Sequence, residues 1–227
     1  MKTIIKILLV VSIGLLAYFC IMSIITPIKF DEQKAAREKE ITQRLIDIRS
    51  AELEYKIQKG VYTDNFDELI QFLKNAKKKT VVKEGSLSDK QLEAGLTEAA
   101  AARIVRKGNK SEIAANGLEN FRRDTAYVSM LEAIFPTRYT AETIDKIAIV
   151  PFSENKKFVL KTNNDYVNAT GIKIPLFEAS TLYSDYLYDL NHQEMLNAID
   201  LQKKLERFPG LKVGSIEEPN NNAGNWE

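Results

Sequence analysis

The sequence predicts an α+β fold, on three observations. An uncharged run from Ile7 to Ile28 leads into a helix-forming segment reaching Lys59. Short β-prone runs follow from near Thr125, and a capped helix starts after Asn191. The expected order is an N-terminal transmembrane helix continuing into a long helix packed on a small antiparallel sheet, with a helical insertion and a C-terminal helix. In segments this reads as 1–29, tip and anchor; 30–76, long helix plus short helix; 77–120, polar helical insertion; 121–209, antiparallel sheet and C-terminal helix; and 210–227, extended tail.

The apolar run is flanked by Lys6 and Lys29. At about 1.5 Å per residue, residues 7–28 span roughly 33 Å, enough to cross a hydrocarbon core. A cleaved signal peptide needs a shorter apolar core and a small-x-small cleavage site, and none is well placed. The bulky Phe19 before Cys20 does not suit a lipoprotein lipobox. The bilayer is therefore the first expected partner, through residues 7–28. Lys29, Lys34, Arg37 and Lys39 after the run outnumber Lys2 and Lys6 before it, yet a short leading tail and a long translocated domain favour an inside amino terminus. The expected location is a bacterial cytoplasmic (inner) membrane, single-pass, with residues from about 30 onward on the extracytoplasmic, periplasmic side.

Residues 30–227 are long enough for one compact domain with an insertion or a stalk. The formal net charge of +1 gives no basic field for nucleic acid. Cys20, the single cysteine, lies inside the apolar run, so disulfides and cysteine-ligated zinc are excluded from the outer domain. A hydrophobic core must hold it.

From Asp31 to Lys59 the composition is rich in Ala, Glu, Lys, Arg and Gln, all good helix formers. Ile41, Leu45, Ile48 and Tyr55 share one narrow face at about 100° per residue, while Ile46, Leu53 and Ile57 form a second stripe. One stripe covers the domain's own core and the other is free for a partner; alternatively both belong to one broad buried face. The partner-binding candidates are Ile41, Leu45, Ile48 and Tyr55. Gly60 is a natural left-handed helix stop, and Asp64 is positioned to cap a short helix bearing Phe66, Leu69, Ile70 and Leu73.

The pairing of an N-terminal apolar helix with its continuation through Ile48, Arg49, Ala51 and Tyr55, then Gly60, Tyr62 and an aspartate-containing helix, resembles the type IV pilin and pseudopilin superfamily over the first third of the chain. The chain lacks that superfamily's glycine-phenylalanine processing site and the glutamate near the start of the apolar run. The resemblance thus implies a pilin-like architecture, a membrane helix running into a helix packed on a small sheet, and does not extend to a filament.

Lys77, Lys78 and Lys79 open a polar stretch in which Ser88 and Gln91 form a capping-box signature for a helix reaching Arg106. This segment reads as an exposed helical excursion, its lysines a solvated run or a basic docking site. Strand signals then run through Lys146–Val150, Lys157–Lys161, Ile172–Phe177 and Leu182–Leu187. Asn191 and Glu194 cap a helix carrying Met195, Leu196, Ile199 and Leu205, ahead of Pro209 and Gly210.

No phosphate-cradling loop, dinucleotide fingerprint or metalloprotease helix occurs, and His192 reads as an exposed first-turn residue rather than a general base. No catalytic residue, cofactor or metal is expected. Tyr183, Tyr186 and Tyr188 offer either an aromatic platform for glycan or ordinary strand packing. Asp124-Thr125-Ala126 matches a short bacterial O-glycosylation acceptor. The tail closes on asparagines and the single tryptophan, Trp226, which is either frayed or an aromatic anchor in the domain or a neighbour. Taken whole, with this ending, the chain also resembles a family of bacterial single-span envelope proteins. The leading expectation is a noncatalytic, membrane-anchored interaction or structural subunit of an envelope or secretion assembly, engaging other envelope proteins or a second copy. An anchored ligand- or glycan-binding module and an enzyme of unrecognised type are the alternatives.

Overall fold

The computed structural model describes the backbone of residues 2–227 and the side chains of all of these except 2, 81–83 and 123–126. The elements, in chain order, are α1 (Lys2–Lys59), α2 (Phe66–Asn75), β1 (Lys77–Glu84), α3 (Asp89–Glu93), α4 (Glu98–Lys107), α5 (Lys110–Ala115), β2 (Arg122–Ser129), α6 (Met130–Ile134), a 3-10 turn (Ile144–Ala148), β3 (Val159–Asn163), β4 (Leu176–Leu182), α7 (Tyr183–Tyr186), α8 (His192–Lys204) and β5 (Gly210–Gly214). The fold is mixed helix and sheet with a long N-terminal apolar helix and small antiparallel sheets, as expected. The chain forms two compact units: one from residues up to Phe72 together with Ala141–Glu227, the other from Leu73–Thr140.

In the first unit the apolar run and the expected long helix are a single element, 58 residues long. Pro27 sits inside it; its ring lacks an N–H, so the Ser23 carbonyl loses its usual helical partner without the helix ending. Gly60 stops the helix at φ +83°, its N–H bonding back to the Lys56 carbonyl at 2.8 Å. The next cap belongs to Asn65 rather than Asp64: the Asn65 side chain accepts from the Asp67 N–H at 2.8 Å, one residue later than the sequence suggests.

Along the second half of α1, Ile41, Leu45, Ile48, Ala51 and Tyr55 are buried at i, i+4, i+7, i+10 and i+14. They form the seam on which the sheet rests. That sheet has the order β3-β4-β5, all antiparallel, with Ala179 of the central strand opposite both Leu160 and Val213. Phe177, Ala179 and Val213 are fully buried, and the Phe177 ring lies 4.7 Å from that of Tyr62 beyond the helix stop.

Two of the expected strands are not strands, and of the expected Ile172–Phe177 run only Leu176 and Phe177 are, at the start of β4, with Lys173 making an isolated bridge to Val167. Residues 144–148 coil into a 3-10 turn, leaving only an Ile149–Lys157 bridge, because Ile144, Ile147 and Ala148 bury together at helical rather than alternating spacing. The strand expected over Leu182–Leu187 ends at Leu182; Tyr183–Tyr186 is one helical turn. The segment at 210–227 also departs from a free extended tail. Its start is strand β5, and its end returns alongside: Gly214 N–H donates to the Ala223 carbonyl and Asn225 N–H to the Lys212 carbonyl, both at 3.0 Å. Asn221 and Asn222 supply the left-handed corner at φ +55° and +57°, a conformation asparagine tolerates.

The second unit corrects the reading of 77–120 as a purely helical insertion. Lys77, Lys78 and Lys79 lie in β1, which pairs antiparallel with β2 from Lys77↔Ser129 to Glu84↔Arg122. The Asp124-Thr125-Ala126 side chains fall outside the described residues. Beyond the ribbon, Gln91 Oε1 accepts from the Ser88 N–H at 2.7 Å, but the helix it starts stops at Glu93. Gly95 turns the chain at φ +82° and Thr97 recaps α4, its hydroxyl accepting from Ala100 N–H. Ala101, Leu118 and Phe121 make a small core there, with Ile104, Val105 and Ile113 around it.

Candidate functional site

The residues singled out for a partner are those α1 uses for its own core. Ile41, Leu45 and Ile48 are 0 % exposed and Tyr55 is 4 % exposed, so none can meet a neighbour. The two stripes differ in burial, the first wholly inside the domain and the second half-buried to exposed. Ile46 is half-buried, whereas Leu53 and Ile57 are 38 % and 73 % exposed, and Val61 just past the helix end continues the exposed apolar surface. Both stripes are equally apolar in sequence, and only the sheet's position decides between them.

The tyrosine platform also dissolves. Tyr183 and Tyr186 are i and i+3 on the single turn of α7, both buried, with ring centroids 5.9 Å apart. Only Tyr188 reaches the surface, and one exposed ring is not a platform. Trp226 is half-buried, folded over Gly224 so closely that a Cβ there would strike the indole. It therefore packs on its own tail. Arg49 fastens the same tail, pairing with the Glu227 carboxylate at 2.8 Å and donating to the Asn222 carbonyl at 3.1 Å.

What the structure does build is a collar where α1 leaves its apolar run. Side chains from Ile4 to Ile28 along that run are largely exposed, and the helix is long and apolar enough to cross a membrane. Phe30 is then the first buried position, and every following turn is gripped. Lys34 Nζ lies 5.0 Å over the Tyr183 ring. Arg37 forks onto Asp189, with Nη1 to Oδ1 at 2.5 Å and Nη2 to Oδ2 at 2.8 Å, and Nη1 also donates to the Tyr186 carbonyl. Phe152, held at φ +61°, covers the guanidinium at 5.1 Å. The Tyr186 hydroxyl donates to Glu38 at 3.3 Å. The hydrogen bond from Arg37 holds the Asp189 carboxyl below its ordinary range, and the same bond raises Arg37. Burial, then Glu38, drives the Tyr186 phenol far upward. Arg37 and Asp189 thus stay charged, and the Tyr186 phenol stays protonated, over physiological pH.

The sequence hides this cluster because Arg37, Phe152 and Asp189 are distant along the chain; the one local sign was a cation about two and a half turns past the apolar run. A second polar cluster sits at the other end of the helix. Glu52 is fully buried, its Oε2 accepting from Thr63 N–H at 3.3 Å while Oε1 has no partner. Burial pushes its carboxyl up to about 8, against the smaller opposing effect of the Thr63 bond. Glu68 accepts from the Tyr55 and Thr63 hydroxyls, which hold it low, and burial followed by this bond pushes Tyr55 up to about 12. These groups tie the Gly60 turn to α1 and α2. Glu52, sealed from solvent, offers no reacting atom to a substrate.

In the Leu73–Thr140 unit a crevice of about 940 Å³ opens over Phe121, with Lys79, Arg106 and Arg122 facing Glu84 and Glu119. Its mixed charge selects neither anion nor cation. Among the described residues no group of three His, Cys, Asp or Glu side chains converges as metal ligands, and His192 is an exposed first-turn residue of α8. No family model, curated protein or solved structure matches the chain.

Proposed function

We propose that this protein is a noncatalytic, membrane-anchored structural or interaction subunit of a bacterial envelope or secretion assembly, pseudopilin-like in plan, with its folded units on the extracytoplasmic side. One observation carries the reading: the helix whose first half is exposed and apolar is the same helix whose second half is the buried spine of the domain. A flexible linker would suffice for mere tethering. A continuous helix locked by Arg37, Lys34 and Phe152 fixes the height and rotation of the domain relative to the bilayer, which is what a subunit presenting a surface to neighbours requires. A membrane helix running into a helix packed on a small antiparallel sheet supports the pilin-like plan.

The surface left for a neighbour is the exposed stripe of Leu53, Ile57 and Val61 rather than the buried one. A photocrosslinking residue at Leu53, in cells, tests this. A discrete protein adduct that vanishes when Ile57 is changed to Glu, with the fold intact, is the expected result. Absence of any protein adduct, or cytoplasmic activity of a reporter fused after residue 227, overturns the assignment. The glycan-binding alternative loses its platform with the burial of Tyr183 and Tyr186.

A further inference from the structure

The collar leaves a small crevice on its membrane side. A cavity of about 190 Å³ lies between the end of the apolar run and the residue that caps α8, with Met22, Ile25 and Phe30 as its apolar wall and Lys29, Gln33 and Asn191 around its polar side. Asn191 is well placed to donate: its Oδ1 accepts from the Glu194 N–H at 3.1 Å to cap α8, which leaves the amide nitrogen for another acceptor. Met22 and Ile25 are 40 % and 38 % exposed, and the wall they form continues into the exposed apolar side chains of the run.

We propose that this crevice holds one phospholipid with an anionic headgroup. The inference rests on the anchored reading above. If residues 7–28 occupy the hydrocarbon core, Lys29 and Phe30 stand at headgroup level and the Met22 and Ile25 part of the apolar wall lies below them. The Lys29 ammonium meets the phosphate as a charge, and the Gln33 and Asn191 amides offer hydrogen bonds to its oxygens or to the glycerol. The upper part of an acyl chain runs down past Phe30, Ile25 and Met22. Among the described residues that line the crevice there is no carboxylate, and Lys29 is the one charge. A free phosphate would satisfy the polar side and leave the apolar wall wet; a lipid fills both. Such a lipid seats the domain on the bilayer at the point where the collar grips the helix.

The test uses the full chain in nanodiscs of phosphatidylcholine containing about one third phosphatidylglycerol, with photoreactive lipid probes and peptide mapping. A phosphatidylglycerol probe reactive near its headgroup is expected to label the peptides carrying Lys29 and Asn191, and unlabelled phosphatidylglycerol, but not phosphatidylcholine or inorganic phosphate, competes it away. Lys29→Glu reduces that labelling at least about fivefold, the equivalent of one cation at the membrane surface. Asn191→Asp keeps the cap acceptor while replacing the amide donor with a charge, and it lowers labelling with α8 intact by circular dichroism. Equal labelling by both lipid classes, or labelling unmoved by the two variants, overturns the proposal. A probe reactive in its acyl chain is run alongside. Labelling of residues 13–19 by it while the crevice fails refutes the lipid site alone; loss of both refutes the anchor.

Discussion

Replacing Glu52 with Gln should stabilise this protein, and by an amount that grows with pH. The carboxyl is fully buried with one oxygen unpaired, and its folded-state pKa of about 8 exceeds its ordinary value of 4.5. A raised pKa means that folding takes up a proton between those two values. The native state keeps its full stability below about pH 4.5 and loses it as pH rises through about 8, with a slope of about 1.4 kcal/mol per pH unit. At pH 7 the carboxyl costs about 3 kcal/mol relative to a neutral isostere, which for a chain of this size is roughly 6–12 °C in Tm. Glutamine has nearly the same shape, can keep accepting from Thr63 N–H, and does not titrate. The measurement is thermal unfolding of the full chain in detergent micelles from about pH 5 to about pH 9, followed by fluorescence of the single tryptophan, Trp226. Asp189, whose carboxyl is held low, shifts stability in the opposite sense at acid pH, and it does so equally in both proteins. The expected result is two curves that meet near the acid end and diverge upward. A constant offset between them would refute the buried, proton-binding role assigned to Glu52.

Charge substitution at Ile41 or Ile48 should unfold the domain rather than release a partner, and even Ile48→Ala should cost about 2–5 kcal/mol in denaturant unfolding; a folded Ile48→Asp protein would contradict the seam. Arg37→Lys loses the fork onto Asp189, and because Asp189 is half exposed the expected effect is modest, about a fivefold rise in hydrogen exchange over residues 183–191 with the β3–β5 sheet unchanged. Gly214→Ala places a Cβ against the Phe177 carbonyl at a left-handed φ of +75°, and the backbone strain alone should cost about 1–3 kcal/mol of stability. Deleting Asn220–Glu227 should lower Tm, since it removes the Arg49 pair and the ladder to Lys212 and Gly214; an unchanged melt would mean the tail is not part of the sheet.

The parts of this fold legible in the sequence are those specified locally. The apolar run, the period of α1, the Gly60 stop and the Asn191 cap each follow from a few adjacent residues, and each appears in the structure. The parts that were not legible depend on partners far along the chain. Nothing within Lys77-Lys78-Lys79 announces a strand; β2 makes it one from about fifty residues away. The Asn- and Gly-rich tail carries every local sign of disorder, yet its corner asparagines and the edge of β5 order it. Tyr183-Ser184-Asp185-Tyr186 satisfies strand propensity but coils, because Asp185 accepts from the Leu182 N–H at 3.0 Å and both rings then turn inward. The collar was invisible for the same reason: its members come from three separate segments.

Apolar run and domain spine should behave as one rigid rod. Double electron–electron resonance on the full chain in nanodiscs, with Cys20→Ser and spin labels at Tyr18→Cys and Ile57→Cys, measures it directly. Thirty-nine residues of unbroken helix place the labels about 58 Å apart, and a single narrow distribution there is the predicted result. A broad distribution centred well below that distance would mean the helix hinges near Pro27 and that the domain hangs from its anchor on a joint.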